Sequence, residues 1–143
     1  SLMITRRDLV QRALLTLGGL LLPSAVHASA LGHRLAAPGP HPTPRPKITG
    51  AKVLTAEQLK DTPHLIPLFD SVRERPEIMD GIRCNCGCAG QPGYYSLLSC
   101  YEGDAMARLC PICQGQGRLS ARLHKEGKTL AEIRVAVDAQ YGG

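Results

Sequence analysis

Large aromatic residues are scarce in this chain. Its 143 residues include no Trp, one Phe and four Tyr. That length allows one small domain, and a small core without large rings buries less apolar area than usual. We therefore expect an additional stabilising element, such as disulfides or a bound metal.

Motifs for catalysis and for nucleic-acid binding are also missing. The sequence holds no Ser/His/Asp set in a recognisable motif, no paired carboxylate motif and no phosphate-binding loop, so we predict that the protein is not an enzyme. The net charge is +5, with both signs present and no basic stripe carrying aromatic residues. We therefore expect no nucleic-acid partner.

The N-terminal region predicts export. Thr5-Arg6-Arg7-Asp8-Leu9-Val10 is typical of a twin-arginine signal, and Ala28-Ser29-Ala30 predicts cleavage after residue 30. The apolar run 13–22 would span about 15 Å as a helix, half of a bilayer core, so membrane attachment is expected only if the signal is retained. We predict a periplasmic or other extracytoplasmic location. Because this route carries folded proteins, it favours a metal site loaded before export over disulfides formed afterwards.

Residues 31–47 are predicted to form a proline-rich linker. Five prolines occur between Ala36 and Lys47, which excludes a helix and favours extended polyproline II. We expect order to begin near Ile48, and we expect His33 and His41 to be solvated.

Residues 48–143 predict a small all-α domain wrapped around a cysteine-rich loop. A short helix is expected after Thr55, and others from Thr62-Pro63 and from Pro76 to Gly81. A helix with Cys110 as N-cap and Pro111 at its first position should end at Gly127. Thr129 and Glu132 form a capping box for a last helix, whose buried side is expected to hold Leu130, Ile133, Val135 and Val137.

All six cysteines lie between residues 84 and 113. Cys84, Cys86 and Cys88 alternate in Cys-Asn-Cys-Gly-Cys, Cys100 stands alone, and Cys110 and Cys113 form Cys-Pro-Ile-Cys. Alternate thiols can converge on one ion when Gly87 lets the loop curl, and thiols at the start of a helix should have a lowered pKa. Thiolates bind soft or borderline ions, so we expect Cu(I) first, Zn(II) second and an iron–sulfur cluster less readily.

Two other uses of the thiols remain open. Six cysteines could form three disulfides, in a structural subunit of an envelope complex. Alternatively, Cys110 and Cys113 could form the reactive pair of a thiol–disulfide redox protein.

Residues 62–142 resemble the PCYCGC-motif proteins, a family of exported bacterial proteins. The resemblance rests on Arg83-Cys-Asn-Cys-Gly-Cys88, Cys100-Tyr, Cys110-Pro-Ile-Cys113, Glu126-Gly-Lys-Thr-Leu-Ala-Glu-Ile-Arg134 and Tyr141-Gly142, with Arg75–Ile82 upstream. It matches all six cysteines. Where family members carry Pro and Tyr in the motif, this chain has Arg83 and Asn85, and Met106 stands where family members often carry a histidine.

Weaker resemblances concern the Cys-Pro-Ile-Cys segment alone. Cys110-Pro-Ile-Cys113-Gln-Gly115-Gln-Gly117 is similar to one repeat of the DnaJ-type zinc module, and with the closing helix to the thiol-reducing subunit of cytochrome c maturation. Taken together, the sequence predicts an exported metal-binding protein, for metal delivery or as a metal-stabilised scaffold that binds an envelope partner. The candidate ligands are Cys84, Cys86, Cys88, Cys100, Cys110, Cys113 and Met106.

Overall fold

A computed structural model describes residues 39–142, so the predicted signal peptide, its cleavage site, His33 and the first part of the linker lie outside the described residues. Within these residues four α-helices follow one another: α1 (Ile66–Arg73), α2 (Pro76–Asp80), α3 (Pro111–Lys125) and α4 (Leu130–Tyr141). Three short 3-10 helices cover Pro63–Leu65, Leu98–Tyr101 and Met106–Arg108. Within residues 39–142 there is no strand beyond one isolated bridge, between Val53 and Glu102, so the helical prediction is confirmed for this part of the chain.

The junction between α3 and α4 follows from local sequence signals. Gly127 adopts a φ of 83°, which favours glycine, and lies just beyond the end of α3. The Lys128 N–H donates to the Leu123 carbonyl and the Gly127 N–H to the His124 carbonyl, which is the Schellman arrangement. The capping box predicted for Thr129 and Glu132 is present at the start of α4.

Two sequence expectations about the helices are wrong. Of the four residues expected on the buried side of α4, Ile133 and Val137 are buried, but Leu130 is only half-buried and Val135 is 71% exposed. The reason is geometric, since positions 133 and 137 are one turn apart whereas 135 lies on the opposite face. The segment after Thr55 forms turns and no regular helix, although the Thr55 N–H does donate to Gln58 as in a cap.

The core is built from side chains of all four α-helices, together with buried residues of the segments 53–65, 82–88 and 97–107. Phe69 of α1 meets Tyr101 edge-on, with ring centroids 4.8 Å apart, and both are fully buried. This pair partly makes up for the scarcity of aromatic residues, because one edge-to-face contact adds about 0.5–1.5 kcal/mol beyond the buried area.

Two glycines inside α3 make room for tyrosines. A Cβ at Gly117 would overlap the Tyr101 hydroxyl, and one at Gly115 would overlap the Tyr141 hydroxyl. Glycine at these positions therefore lowers helix propensity but permits close packing of α3. The Cys-x-x-Cys-x-Gly-x-Gly segment lies on this helix from Pro111 onward.

The described part of the proline-rich segment is packed against the helical domain, although the sequence predicted a linker up to Lys47 with order beginning only near Ile48. Arg45 forms a two-pronged ion pair with the fully buried Asp80, at 2.7–3.2 Å, and its backbone N–H donates to the same carboxylate. His41, expected to be solvated, accepts from the Arg83 N–H at Nδ1 and lies 3.0 Å from Asp138 through Nε2. These contacts join residues far apart in sequence. Order therefore begins before Ile48.

Among the described residues, 39–142, no helix has both the length and the apolar character needed to cross a membrane.

Candidate metal centre

The cysteine loop is closed at its base by the backbone. The Leu97 N–H donates to the Ile82 carbonyl at 2.8 Å, so the chain leaves the core after Ile82 and returns to it at Leu97. Between these residues the chain forms turns, with Gly87 and Gly90 at φ values of 89° and 94°. Such values favour glycine and let the loop reverse direction tightly, as the sequence predicted for Gly87.

Four thiols from three parts of the chain meet inside the domain. Cys84 and Cys86 come from the loop, Cys100 from the 3-10 helix Leu98–Tyr101, and Cys113 from the first turn of α3. Their sulfur atoms all lie within 4.8 Å of one another. Cys84 Sγ is 3.2 Å from Cys86 Sγ and 3.4 Å from Cys113 Sγ. We call these residues the four-thiol cluster.

The other three candidate ligands lie outside the four-thiol cluster. Cys88 is buried, and its Sγ is 2.8 Å from Cys86 Sγ, so it contacts the cluster at one edge. Cys110 is the N-cap of α3, where its backbone is extended and its side chain is half-buried. Met106 is 38% exposed on a 3-10 helix and lines a surface concavity with Tyr94 and Leu109. Cys100, which stands alone in the sequence, lies inside the cluster.

The hydrogen bonds of the cluster favour a thiolate at Cys84. Hydrogen bonds from Cys100 and then Cys113 outweigh burial and lower the pKa of Cys84 from its ordinary 9.0 to about 3. Burial, followed by the hydrogen bonds with Cys88 and Cys84, raises the pKa of Cys86 to about 12. Without an ion, one thiolate is therefore stabilised by the thiols around it.

Cys100 and Cys113 are held as thiols. The hydrogen bond with Cys113 acts to lower the pKa of Cys100, but the bond to Cys84 together with burial raises it overall. Hydrogen bonds to Cys100 and Cys84, and then burial, raise the pKa of Cys113. This corrects the expectation that the start of α3 lowers the pKa of Cys113. Its thiol donates within the cluster, and that effect exceeds the favourable field of the helix end.

Gln116 holds the backbone on both sides of Cys84. Its Oε1 accepts from the Asn85 N–H at 3.1 Å, and its Nε2 donates to the Arg83 carbonyl at 3.2 Å. The side chain is fully buried, one turn after Cys113 on α3. Sequence reasoning did not identify this residue. The available signal was a polar residue three positions after a candidate ligand, on the same side of a helix.

Tyr101 supports the cluster from the other side. Its hydroxyl donates to the Cys113 carbonyl at 2.7 Å, and it follows Cys100 directly in the chain. Burial, aided by the nearby thiols, raises the pKa of Tyr101, so this hydroxyl stays protonated and keeps donating. It also went unnoticed in the sequence, where Cys100-Tyr was only part of a motif.

The arrangement is suited to a soft metal ion. None of the six cysteines forms a disulfide in the structure, so the four-thiol cluster is available for an ion. A tetrahedral site with metal–sulfur distances of about 2.3 Å has sulfur–sulfur edges of about 3.8 Å, close to the spacing of the cluster. Only small shifts are needed to move the sulfurs apart around an ion. The donor set contains no oxygen or nitrogen, which disfavours hard cations such as Mg²⁺ or Ca²⁺.

Comparison with models of known protein families, with curated proteins and with solved structures found no match for this chain. What the structure itself shows is a small helical domain with a four-cysteine cluster positioned to coordinate a metal ion. Its resemblance to the PCYCGC-motif proteins stays a prediction from the sequence.

Proposed function

We propose that this protein binds a soft metal ion, Cu(I) in preference to Zn(II), through the thiolates of Cys84, Cys86, Cys100 and Cys113. The observation that carries the proposal is the convergence of four largely buried sulfurs from three segments within 4.8 Å of one another. Scattered structural cysteines have no reason to meet in this way. The Gln116 clamp supports the same conclusion, because buried hydrogen bonds that orient the backbone of a ligand are typical of metal sites.

The proposed setting is the cell envelope. The twin-arginine pattern at Arg6-Arg7 and the resemblance to exported PCYCGC-motif proteins support export, and export of the folded chain would carry the ion with it. We propose that the domain delivers or holds metal there, either as a carrier or as a scaffold for an envelope partner, and that it performs no catalysis.

The test is native mass spectrometry of the full chain, reduced and kept under inert gas, after addition of Zn(II) or Cu(I) and dialysis. We expect a retained ion, and we expect Cys84→Ser to weaken its binding by more than the roughly 10–100-fold typical for loss of a residue that orients a ligand, because a ligand itself is lost. Cys110→Ser is the matched control, since Cys110 lies outside the four-thiol cluster. This variant should bind the metal ion with the same affinity as the unchanged chain.

Two results would overturn the proposal in favour of the alternatives. Protein isolated with thiols trapped, free of metal and lighter by two hydrogens for each of three disulfides, would identify a disulfide scaffold. A single disulfide between Cys110 and Cys113 that exchanges readily with glutathione would identify a redox protein. In the structure Cys113 belongs to the four-thiol cluster and Cys110 does not, so we expect neither result.

A further inference from the structure

One buried thiol is left unused by a site of four ligands. Cys88 is only 5% exposed, and its sulfur lies 2.8 Å from the sulfur of Cys86. Cys86 Sγ in turn lies 3.2 Å from Cys84 Sγ, and Cys84 Sγ lies 3.4 Å from Cys113 Sγ. The sulfurs of Cys113, Cys84, Cys86 and Cys88 therefore form an unbroken line of contacts, and Cys86 lies between the cluster and the fifth thiol.

We propose that the site takes two Cu(I) ions, with the thiolate of Cys86 bridging them and Cys88 completing the second position. This inference rests on the proposed function and extends it from one ion to two. A thiolate sulfur has more than one lone pair, so it can bind two ions at once. Cu(I) favours soft thiolate ligands and is satisfied by fewer of them than tetrahedral Zn(II), so five sulfurs are enough for two copper ions.

The loop has the freedom that a second ion requires. The 2.8 Å contact between Cys86 and Cys88 must widen when an ion enters between them. Gly87 separates the two residues, is exposed, and has no atom within 4 Å of the position that a Cβ would occupy. Gly90 is equally open. The turn between Cys86 and Cys88 therefore has open space beside it, while Cys84 is held by the Gln116 hydrogen bonds on either side of it.

The reaction is simple coordination. Each thiol that binds copper passes its proton to solvent as the sulfur–copper bond forms, and no electron is transferred, because copper is supplied as Cu(I). Zn(II) behaves differently, since it requires four ligands and finds them in Cys84, Cys86, Cys100 and Cys113. The same chain is therefore expected to hold two Cu(I) ions but one Zn(II) ion, and Cys88 should matter for copper alone.

The experiment counts bound ions by native mass spectrometry on the reduced full chain, titrated with Cu(I) from a chelator buffer and, separately, with Zn(II). We expect two copper ions in the unchanged chain and in Cys110→Ser, and one copper ion in Cys88→Ser. One zinc ion is expected in all three. Retention of zinc by Cys88→Ser shows that this variant is folded. X-ray absorption of the two-copper form should show scattering of one copper from the other.

The outcomes separate this inference from the function it extends. A single copper ion in the unchanged chain, or two in Cys88→Ser, overturns the second position but leaves the metal-binding function standing. Loss of one copper ion in Cys110→Ser assigns the second position to Cys110 and overturns the role of Cys88. Failure of the reduced chain to retain either metal overturns the proposed function itself.

Discussion

The side-chain amide of Gln116 is hydrogen bonded to the backbone on either side of Cys84, so the central thiolate of the cluster is positioned from α3. The same helix supplies Cys113, one turn earlier. Two features of the candidate centre, one candidate ligand and the clamp on another, thus come from adjacent turns of one helix. The clamp therefore ties the backbone of Cys84 to the helix that carries Cys113.

The first prediction concerns this clamp. Gln116→Met keeps the side-chain volume but removes both hydrogen bonds, leaving the Asn85 N–H and the Arg83 carbonyl without their partner. We expect metal affinity to fall by about 10–100-fold, the range typical for residues that orient ligands. The measurement is competition with a chelator of known affinity.

The matched control is Gln114→Met on the same helix. Gln114 donates to the carbonyls of Ala107 and Arg108 and makes no hydrogen bond to the loop. The Gln114→Met variant should be somewhat less stable than the unchanged chain but should have the same metal affinity. Equal losses of affinity in both variants would show that Gln116 acts only through the stability of the fold.

The second prediction concerns the glycine of α3 that faces Tyr101. Gly117→Ala gains about 1 kcal/mol of helix propensity but places a methyl group on the buried Tyr101 hydroxyl. Overpacking of this kind costs about 1–3 kcal/mol, so we expect a net loss of unfolding free energy in urea titrations. Adding Tyr101→Phe removes the oxygen atom and should restore part of the loss.

Gly115→Ala provides the comparison. The added Cβ would meet the hydroxyl of Tyr141. Tyr141 is half-buried and is the last residue of α4, so its side chain can rotate away. We expect this variant to be close to neutral or slightly stabilised. If Gly117→Ala were just as well tolerated, the close approach of α3 to Tyr101 would be refuted.

The sequence was sufficient for features that depend on neighbouring residues. Pro111, Gly127 and the Thr129–Glu132 capping box each specify a helix boundary within a few positions, and the structure has all three. The cysteine loop was also recognisable, because Gly87 and its neighbours exclude regular structure.

Features that depend on contacts between residues far apart in the chain could not be predicted from the sequence. Arg45 pairs with Asp80, 35 positions away, and this contact turns a proline-rich segment with no helical or strand pattern into part of the packed domain. Likewise, spacing alone cannot decide that Cys100 enters the four-thiol cluster whereas Cys110 stays outside it. That choice depends on how the 3-10 helix Leu98–Tyr101 packs beside α3.

The third prediction concerns the pairing of Asp80 with Arg45. Burial acts to raise the pKa of Asp80, but hydrogen bonds from Arg45 and Ser96 prevail and lower it below its ordinary 3.8. A carboxylate whose pKa is lower in the folded state than in the unfolded state stabilises the fold. This stabilisation is complete above the unfolded-state pKa of about 4. The contribution is lost as the pH falls through the folded-state pKa. We therefore expect the unfolding free energy to decrease below pH of about 4.

Asp80→Asn tests this assignment. Loss of the charged hydrogen bonds should cost about 1.5–3 kcal/mol at pH 7, measured by urea titration, and should flatten the acid decline. Arg122→Ala, which removes the exposed pair with Glu126, is the control and should cost at most about 0.5 kcal/mol. An Asp80→Asn variant with the same acid profile as the unchanged chain would assign the decline to other carboxylates.

The last prediction concerns the protons of the four-thiol cluster. At pH 7 Cys84, with a pKa of about 3, is already a thiolate, whereas the raised pKa values of Cys86, Cys100 and Cys113 keep those three as thiols. A Zn(II) ion bound by all four residues must displace the protons of the other three, because thiolates are the ligands. Binding should therefore release about three protons per ion and weaken as the pH falls.

Calorimetry of Zn(II) binding in buffers of different ionisation enthalpy measures this number directly. Cys110→Ser should release the same number, since Cys110 lies outside the cluster. Release of about four protons would show that Cys84 is a thiol before the ion arrives, so that the pattern of hydrogen bonds around it is wrong. Release of about two would mean that one of the three buried thiols does not ligate zinc. The proton count therefore reports both the charge of the metal-free cluster and the number of sulfurs that close around the ion.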